Sequence, residues 1–376
     1  MTSAKGLEGV VVASTSVSHV FGNEGRLVYR GYDINQLAGK ATYEEVCHLL
    51  WRGHLPTRAE LDQLNTQMRT QRNLPDNGQV FHILPRNTEP MSAVRTGVSA
   101  VAAMLPIEGT PTLDQAIGLT ARFPTIVAAF HRIRNGLNPI APRSDLGHAA
   151  NYLYMLTGEV PPESHVKSLD TYLTLLADHS MNASTFTARV IASTESDLGS
   201  CVVGGIGALK GPLHGGAPAL VMDMLDAIGS AGNIQPWINN ALDTHQKLMG
   251  FGHRVYKTTD PRAEILRGMA QQSSTPEFFA LARGTEVYTL DELHRRKPDQ
   301  RLYTNVEFYS AAVLNSVGLP RDLYPPTFAI SRVAGWTAHV LEQLVGNRLI
   351  RPQSEYVGPE GLTFTPIDQR TPVAVG

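Results

Sequence analysis

The chain has 376 residues, with 34 acidic against 32 basic side chains and two cysteines. That length supplies ample core for one large domain or two moderate ones without staples. The nearly balanced charge argues against nucleic acid or a membrane surface as the main partner; Cys47 and Cys201, far apart in sequence, read as buried thiols in a reducing cytoplasm rather than a disulfide framework.

The N-terminal stretch lacks the apolar core of a signal peptide, and no segment approaches the roughly 18 apolar residues of a membrane span, so a soluble, cytoplasmic protein is expected. "GRLVYRGYDI" is the best strand candidate. From there the dominant period is helical. "TYEEVCHLLWRG" comes first, then "MSAVRTGVSAVAAML", where Met91, Val94, Val98, Val101, Ala102 and Leu105 fall on one face. "DLGHAANYLYMLTG", "LDTYLTLLADH", "NVEFYSAAVLNSVG" and "ISRVAGWTAHVLEQL" follow, separated by "LPDNG", "EVPPES" and "LYPPT", which read as Pro/Gly punctuation. The least regular run is "QQSSTPEFFALARGTEVYTLDELHRRKPDQ". The pattern predicts a mainly α protein with a short β element at its start. Residues 216–318 form a plausible second, smaller domain opening at the glycine pair 215–216, and 1–215 with 319–376 form the larger one.

Some motifs lead nowhere. "GGIGALKG" has Lys210 where a dinucleotide fingerprint needs glycine, and no parallel β/α pattern surrounds it. The thirteen histidines form no zinc-ligand spacing, and no G-x-S-x-G elbow occurs.

Four other stretches set a polar group where a helix ends or a glycine loosens the chain. "LADHSMNASTF" ends an apolar run at His179, which also reads as a histidine satisfied by the last carbonyls of a helix. "LKGPLHGGA" holds His214 among glycines that permit close ligand approach. In "GFGHRVYKTTDPRA", Asp260 reads as an N-cap and Pro261 as the first helical residue, which places Arg262 in a first turn. A cation there, beside free backbone N–H groups, makes an anion-binding corner that His253 can share. "NVEFYSA" sets Glu307 among Val306, Phe308 and Tyr309. A carboxylate in such company has its pKa raised toward use as a base, unless it lies on a polar helix side. Arg332 and Arg351 are arginine forks suited to carboxylates or, equally, to surface ion pairs. Imidazoles for carbonyl oxygens, guanidinium groups for a dianion and one carboxylate for a proton suit carbon-acid chemistry on a small polycarboxylate.

With "LKGPLHGGA" and "GFGHRVYKTTDPRA" in this order and separation, the chain resembles the citrate synthase family over nearly its whole length. The resemblance implies a multi-helical two-domain fold whose smaller domain closes over the site. It also implies condensation of acetyl-CoA with oxaloacetate to citrate and CoA, or of propionyl-CoA in the methylcitrate branch. His214 would bond the thioester carbonyl, and His253 would polarise the ketone. His179, Arg262, Arg332 and Arg351 would hold oxaloacetate, the last from the neighbouring subunit of a homodimer. CoA would lie along Lys247, Leu248, Met249, Gly250 and Phe251, with Lys257 near its phosphates. No metal and no permanently bound cofactor is implied; acetyl-CoA is a co-substrate.

Three positions depart from the family's pattern. Glu307 stands where the family has its catalytic aspartate, Ala311 where a glycine is usual, and Thr304 where a proline is common. Glutamate keeps the chemistry but adds one methylene, about 1.5 Å of reach, where misplacement on the order of 1 Å costs roughly 100-fold. An active synthase with local adjustment is the favoured expectation. A catalytically weak oxaloacetate-binding homologue is the alternative of another class.

Overall fold

The computed structural model describes residues 5–7, 9–105, 109–215, 217–253, 255–300 and 302–370. Thr15–Leu349 forms one compact unit, and Met1–Ser14 with Ile350–Gly376 forms another.

The larger unit begins with β1 (Ser18–Phe21), β2 (Arg26–Tyr29) and β3 (Tyr32–Asp33), an antiparallel meander in order β1-β2-β3. "GRLVYRGYDI" supplies β2 and β3; β1 lies outside it. Tyr29 pairs with Tyr32 across a two-residue turn in which Arg30 and Gly31 both take positive φ, 47° and 90°, the conformation that matches strand twist.

Helices follow in chain order: α1 (Ile34–Leu37), α2 (Tyr43–Arg52), α3 (Arg58–Thr70), α4 (Pro90–Met104), α5 (Leu113–Arg134), α6 (His148–Thr157), α7 (Glu163–Leu176), α8 (Ala183–Ser193) and α9 (Leu198–Leu209). Then come α10 (Ala217–Ile228), α11 (Ile234–Asp243), α12 (Pro261–Ser273), α13 (Pro276–Arg296), α14 (Val306–Ser316) and α15 (Tyr324–Leu344). Local chemistry sets their starts. Thr42 with Glu45 and Thr57 with Glu60 form reciprocal capping boxes, and Asp260 caps α12 ahead of Pro261, as the sequence predicts.

Two expectations are corrected. "LYPPT" is not a break: Pro325 and Pro326 lie in the first turn of α15, where proline removes only N–H groups that have no helical partner. The "irregular" run 271–300 holds the end of α12 and the 21-residue α13, capped by Thr275 with Pro276 as its first residue. Its apolar stripe is hidden because Thr285, Glu286 and Thr289 are buried polar residues on it.

Helix α15 is enclosed over most of its length, from Tyr324 to Val340, and it carries Arg332 and His339 into the core. Its close packing depends on Gly335. A Cβ there would meet the carbonyl oxygen of Ala177 and Oδ1 of Asp178, both at 2.4 Å. Gly335→Ala is therefore expected to destabilise the protein by about 1–3 kcal/mol, read as a lower urea midpoint at unchanged slope. The smaller unit is largely exposed and held by local contacts, such as Arg370 over the Phe364 ring at 5.6 Å. No helix among the described residues is long and apolar enough to cross a membrane.

Candidate active site

Two connecting segments and the first turn of α12 bring His179, His253 and Arg262 around one tyrosine. Helix α7 ends at Leu176, and His179 lies just beyond it with its Nε2 3.3 Å from the hydroxyl of Tyr256. The His179 and His253 rings lie 5.6 Å apart, and His253 lies 4.7 Å from the Tyr256 ring. The Arg262 guanidinium sits 5.9 Å from the same ring. His179 is thus engaged by a side chain across the site and not by the helix-end carbonyls that sequence alone allowed.

The state of His253 follows from its partners. Backbone N–H groups of Val255 and Tyr256 both donate to its Nδ1, each at 3.0 Å. A nitrogen that accepts two donors carries no proton, so neutral His253 is the Nε2–H tautomer and presents a donor. Burial and the nearby Arg262 cation lower its pKa to about 4, which keeps it neutral at physiological pH. Burial, Arg262 and Arg332 likewise hold His179 well below the ordinary imidazole range.

Arg262 occupies the first turn of α12, but its corner is not an open cation. Asp260 grips it twice, through Oδ1 to Nε at 3.0 Å and through Oδ2 to Nη2 at 2.8 Å, with both side chains buried. The same Oδ2 accepts the backbone N–H of Val306 at 3.2 Å. One carboxylate therefore joins Arg262 to the start of α14, where Glu307 lies.

Glu307 is the second residue of α14, and its backbone N–H is capped by Asn305 Oδ1 at 3.0 Å. Burial raises its pKa to about 7, against the opposing pull of Arg262 and Arg332 and with the support of Asp260. It is not an acid on a solvated helix face.

His214 lies on the turn after α9, its backbone N–H bonded to the Gly211 carbonyl at 2.9 Å. Its Nε2 is 2.9 Å from Ser184 Oγ, which also accepts the Trp336 indole N–H at 3.0 Å and lies 2.8 Å from Asn182 Oδ1. The hydroxyl has one proton to give. Asn182 Oδ1 and His214 Nε2 compete for it: given to Asn182 it lets Nε2–H donate to Oγ, and given to Nε2 it leaves the imidazole proton on Nδ1. Burial first, and the Arg332 charge second, lower the pKa of His214 to about 4. The Phe328 ring lies between these groups, 6.3 Å from His214 and 4.7 Å from the Arg332 guanidinium. Arg332 is buried, and its Nε donates to the Leu176 carbonyl at 2.8 Å.

Behind the pocket, Asp178 accepts from Ser18 Oγ and pairs with His339 Nε2 at 3.2 Å. Arg189, which can only donate, reaches the other ring nitrogen of His339 at 3.1 Å, so neutral His339 is a donor to Asp178.

Lys247, Leu248 and Phe251 line a cavity of about 520 Å³ together with His245, Arg296, Lys297 and Leu302. Met249 is half-buried and Gly250 buried, while Lys247 and Lys257 are exposed. Arg351 is exposed and belongs to the smaller unit. Gly216 and Arg254 lie outside the described residues. Sequence reading missed Tyr256, Ser184 and Trp336, and it saw Asp260 only as a cap. The available signal was the tight "GHRVYK" spacing, which makes a bond from Tyr256 back to His253 geometrically natural.

The family model "Citrate synthase, C-terminal domain" matches residues 6–353. Citrate synthase 2 of Bacillus subtilis (strain 168) is 43% identical, over 98% of this chain and 100% of that protein. 2-Methylcitrate synthase 2 of Corynebacterium glutamicum is 42% identical over 97% of each chain. The citrate synthase of Thermoplasma acidophilum, solved as a ternary complex with carboxymethyl coenzyme A and oxaloacetate, superposes with a TM-score of 0.90 at 32% identity, over 97% of this chain and 99% of that one. This chain therefore belongs to the citrate synthase family and is a condensing acyltransferase of that type.

Proposed function

We propose that the enzyme condenses acetyl-CoA with oxaloacetate and water to give citrate and CoA, with Glu307 as the base. What carries this reading is one convergence: a half-buried carboxylate whose pKa is raised to about 7 and two neutral imidazoles all feel the charges of Arg262 or Arg332. Glu307 removes a proton from the acetyl methyl. His214, in the tautomer whose Nε2 accepts from Ser184, donates its Nδ1–H to the thioester oxygen as negative charge forms there. Preorganised donors of this kind are worth about 3–4 kcal/mol each. The enol carbon then attacks the ketone of oxaloacetate, which His253 polarises through Nε2–H while a proton reaches the developing alkoxide. Water cleaves the resulting thioester, releasing CoA and a proton.

Oxaloacetate is held by His179, Arg262 and Arg332, and by Arg351 from the neighbouring subunit of a homodimer. CoA lies along Lys247–Phe251 in the 520 Å³ cavity, with Lys257 near its phosphates. The small domain, residues 216–318, carries His253, Arg262 and Glu307. The remainder carries His179, His214 and Arg332. Closure of one over the other assembles the set and excludes water that would otherwise waste the thioester. No metal or permanently bound cofactor enters this scheme.

Propionyl-CoA is the second reading, because a 2-methylcitrate synthase is as similar to this chain as a citrate synthase is. One methylene in an apolar pocket changes discrimination by about 10–200-fold. Thiol release with oxaloacetate present is expected to run at least about 10-fold faster, as kcat/KM, with acetyl-CoA than with propionyl-CoA. The opposite ratio would make the chain a 2-methylcitrate synthase. No thiol release with either, alongside calorimetric binding of oxaloacetate, would leave it a binding homologue.

A further inference from the structure

We propose that Glu286 is a positioning residue that sets the reach of Glu307 by clamping the chain on both sides of it. This rests on the reading of Glu307 as the base.

Glu286 lies mid-way along α13 and is 2% exposed. Its Oε1 accepts the Thr304 hydroxyl at 2.8 Å, and its Oε2 accepts the Tyr309 hydroxyl at 2.5 Å and an N–H of Arg283. Arg267 of α12 stands 3.9 Å from Oε1. Burying a carboxylate is costly unless it is paired and bonded, and these three donors together with the Arg267 charge meet that demand. Two of them have a common address. Thr304 precedes Glu307 by three residues and Tyr309 follows it by two, so one carboxylate grips both flanks of the first turn of α14.

The gripped segment is also bonded to the other catalytic loop. Gly252 N–H donates to the Tyr303 carbonyl at 2.8 Å, Asn305 N–H to the Gly250 carbonyl at 2.9 Å, and Asn305 Nδ2 to the Gly252 carbonyl at 2.9 Å. That loop ends in His253. A shift of Thr304 therefore carries the base and the ketone donor together.

The physical need follows from the side chain. Glutamate has one more rotatable bond than aspartate, so its carboxylate is placed accurately only if its backbone is held firmly. Thr304 supplies to the clamp a hydroxyl that a proline at this position would lack. Glu286 and Thr304 bury a carboxylate and a hydroxyl beside α14, where leucine and valine would pack without that desolvation cost. A carboxylate that served packing alone would be a poor choice there.

The test is Thr304→Val, which keeps shape and removes the hydroxyl, with Thr304→Ser as rescue and Tyr309→Phe as a second, milder cut. Thr304→Val is expected to lower kcat about 10-fold, within the range that sub-ångström misplacement produces, while KM for oxaloacetate stays within about twofold. It is also expected to move the acid limb of the kcat–pH profile. The groups facing Glu307 are Arg262 and Asp260 at the start of α12, Arg332 of α15 and Tyr172 of α7, so a displaced carboxylate meets a different field. Thr304→Ser should restore both readouts, and Tyr309→Phe should reproduce the loss. Unchanged kcat and acid limb in Thr304→Val and Tyr309→Phe, with only a lower Tm, would reduce Glu286 to a packing residue and overturn the inference. So would failure of Thr304→Ser to rescue. Undiminished kcat in Glu307→Gln would instead overturn the base assignment, and that variant leaves the Glu286 clamp intact.

Discussion

Glu307→Gln is expected to lower kcat by about 10²–10⁴-fold, the usual contribution of a positioned general base, with little effect on folding. Glutamine has the same volume and keeps the Asn305 cap, which uses the backbone N–H of residue 307 and not its side chain. Glu307→Asp keeps a base but withdraws it by roughly 1.5 Å, and a loss on the order of 100-fold is expected. The pH profile gives the sign independently. The base works only when ionised, so kcat should fall as pH drops through about 7, the value to which burial raises Glu307. His214 and His253, lowered to about 4, stay neutral throughout that range and leave the limb to the carboxylate alone. Stopped-flow thiol release from pH 5.5 to 9 reads all of this. Equal rates for wild type and Glu307→Gln would end the assignment.

Asp260→Asn should have the largest effect on stability. Asparagine caps helices about as well as aspartate, so the substitution spares the start of α12 while removing the charge opposed to Arg262. Breaking a buried pair by deleting one partner costs about 3–5 kcal/mol, because the remaining charge is left unsatisfied. The loss appears as a lower guanidinium midpoint, and a loss below about 1 kcal/mol would mean that the pair is solvated. Asp260 also raises the Glu307 pKa, so the variant's kcat acid limb should move to lower pH.

Much of this arrangement is legible in the amino-acid sequence. The period in "MSAVRTGVSAVAAML" gives α4 within a residue at each end, and "TDPRA" gives the start of α12, because apolar spacing and caps are local. Helix α13 was not legible. Its buried face carries Thr285, Glu286 and Thr289, and a polar residue that finds its partner 18 positions later leaves no periodic trace. The site divides the same way. Glycine-flanked His214 and His253 announce themselves by backbone permissiveness. The Asp260–Arg262 fork is read from sequence only as a cap and a cation, because bidentate geometry is tertiary. Ser184 and Trp336 owe their part to a contact across 152 positions, which no local pattern encodes.

The pairing of Arg262 with Asp260 has a consequence for how a doubly charged guest is received. Arg262 and Arg332 bring two positive charges, while Asp260 and ionised Glu307 bring two negative ones, and Asp178 lies behind Arg332. With Glu307 ionised, these charges leave no surplus of cation to greet a dianion. Either a proton must settle on Glu307, which would silence it, or a further guanidinium must arrive from elsewhere. The arginine proposed above to come from a second subunit, Arg351, would supply that charge, and on that proposal turnover would depend on the association of two chains.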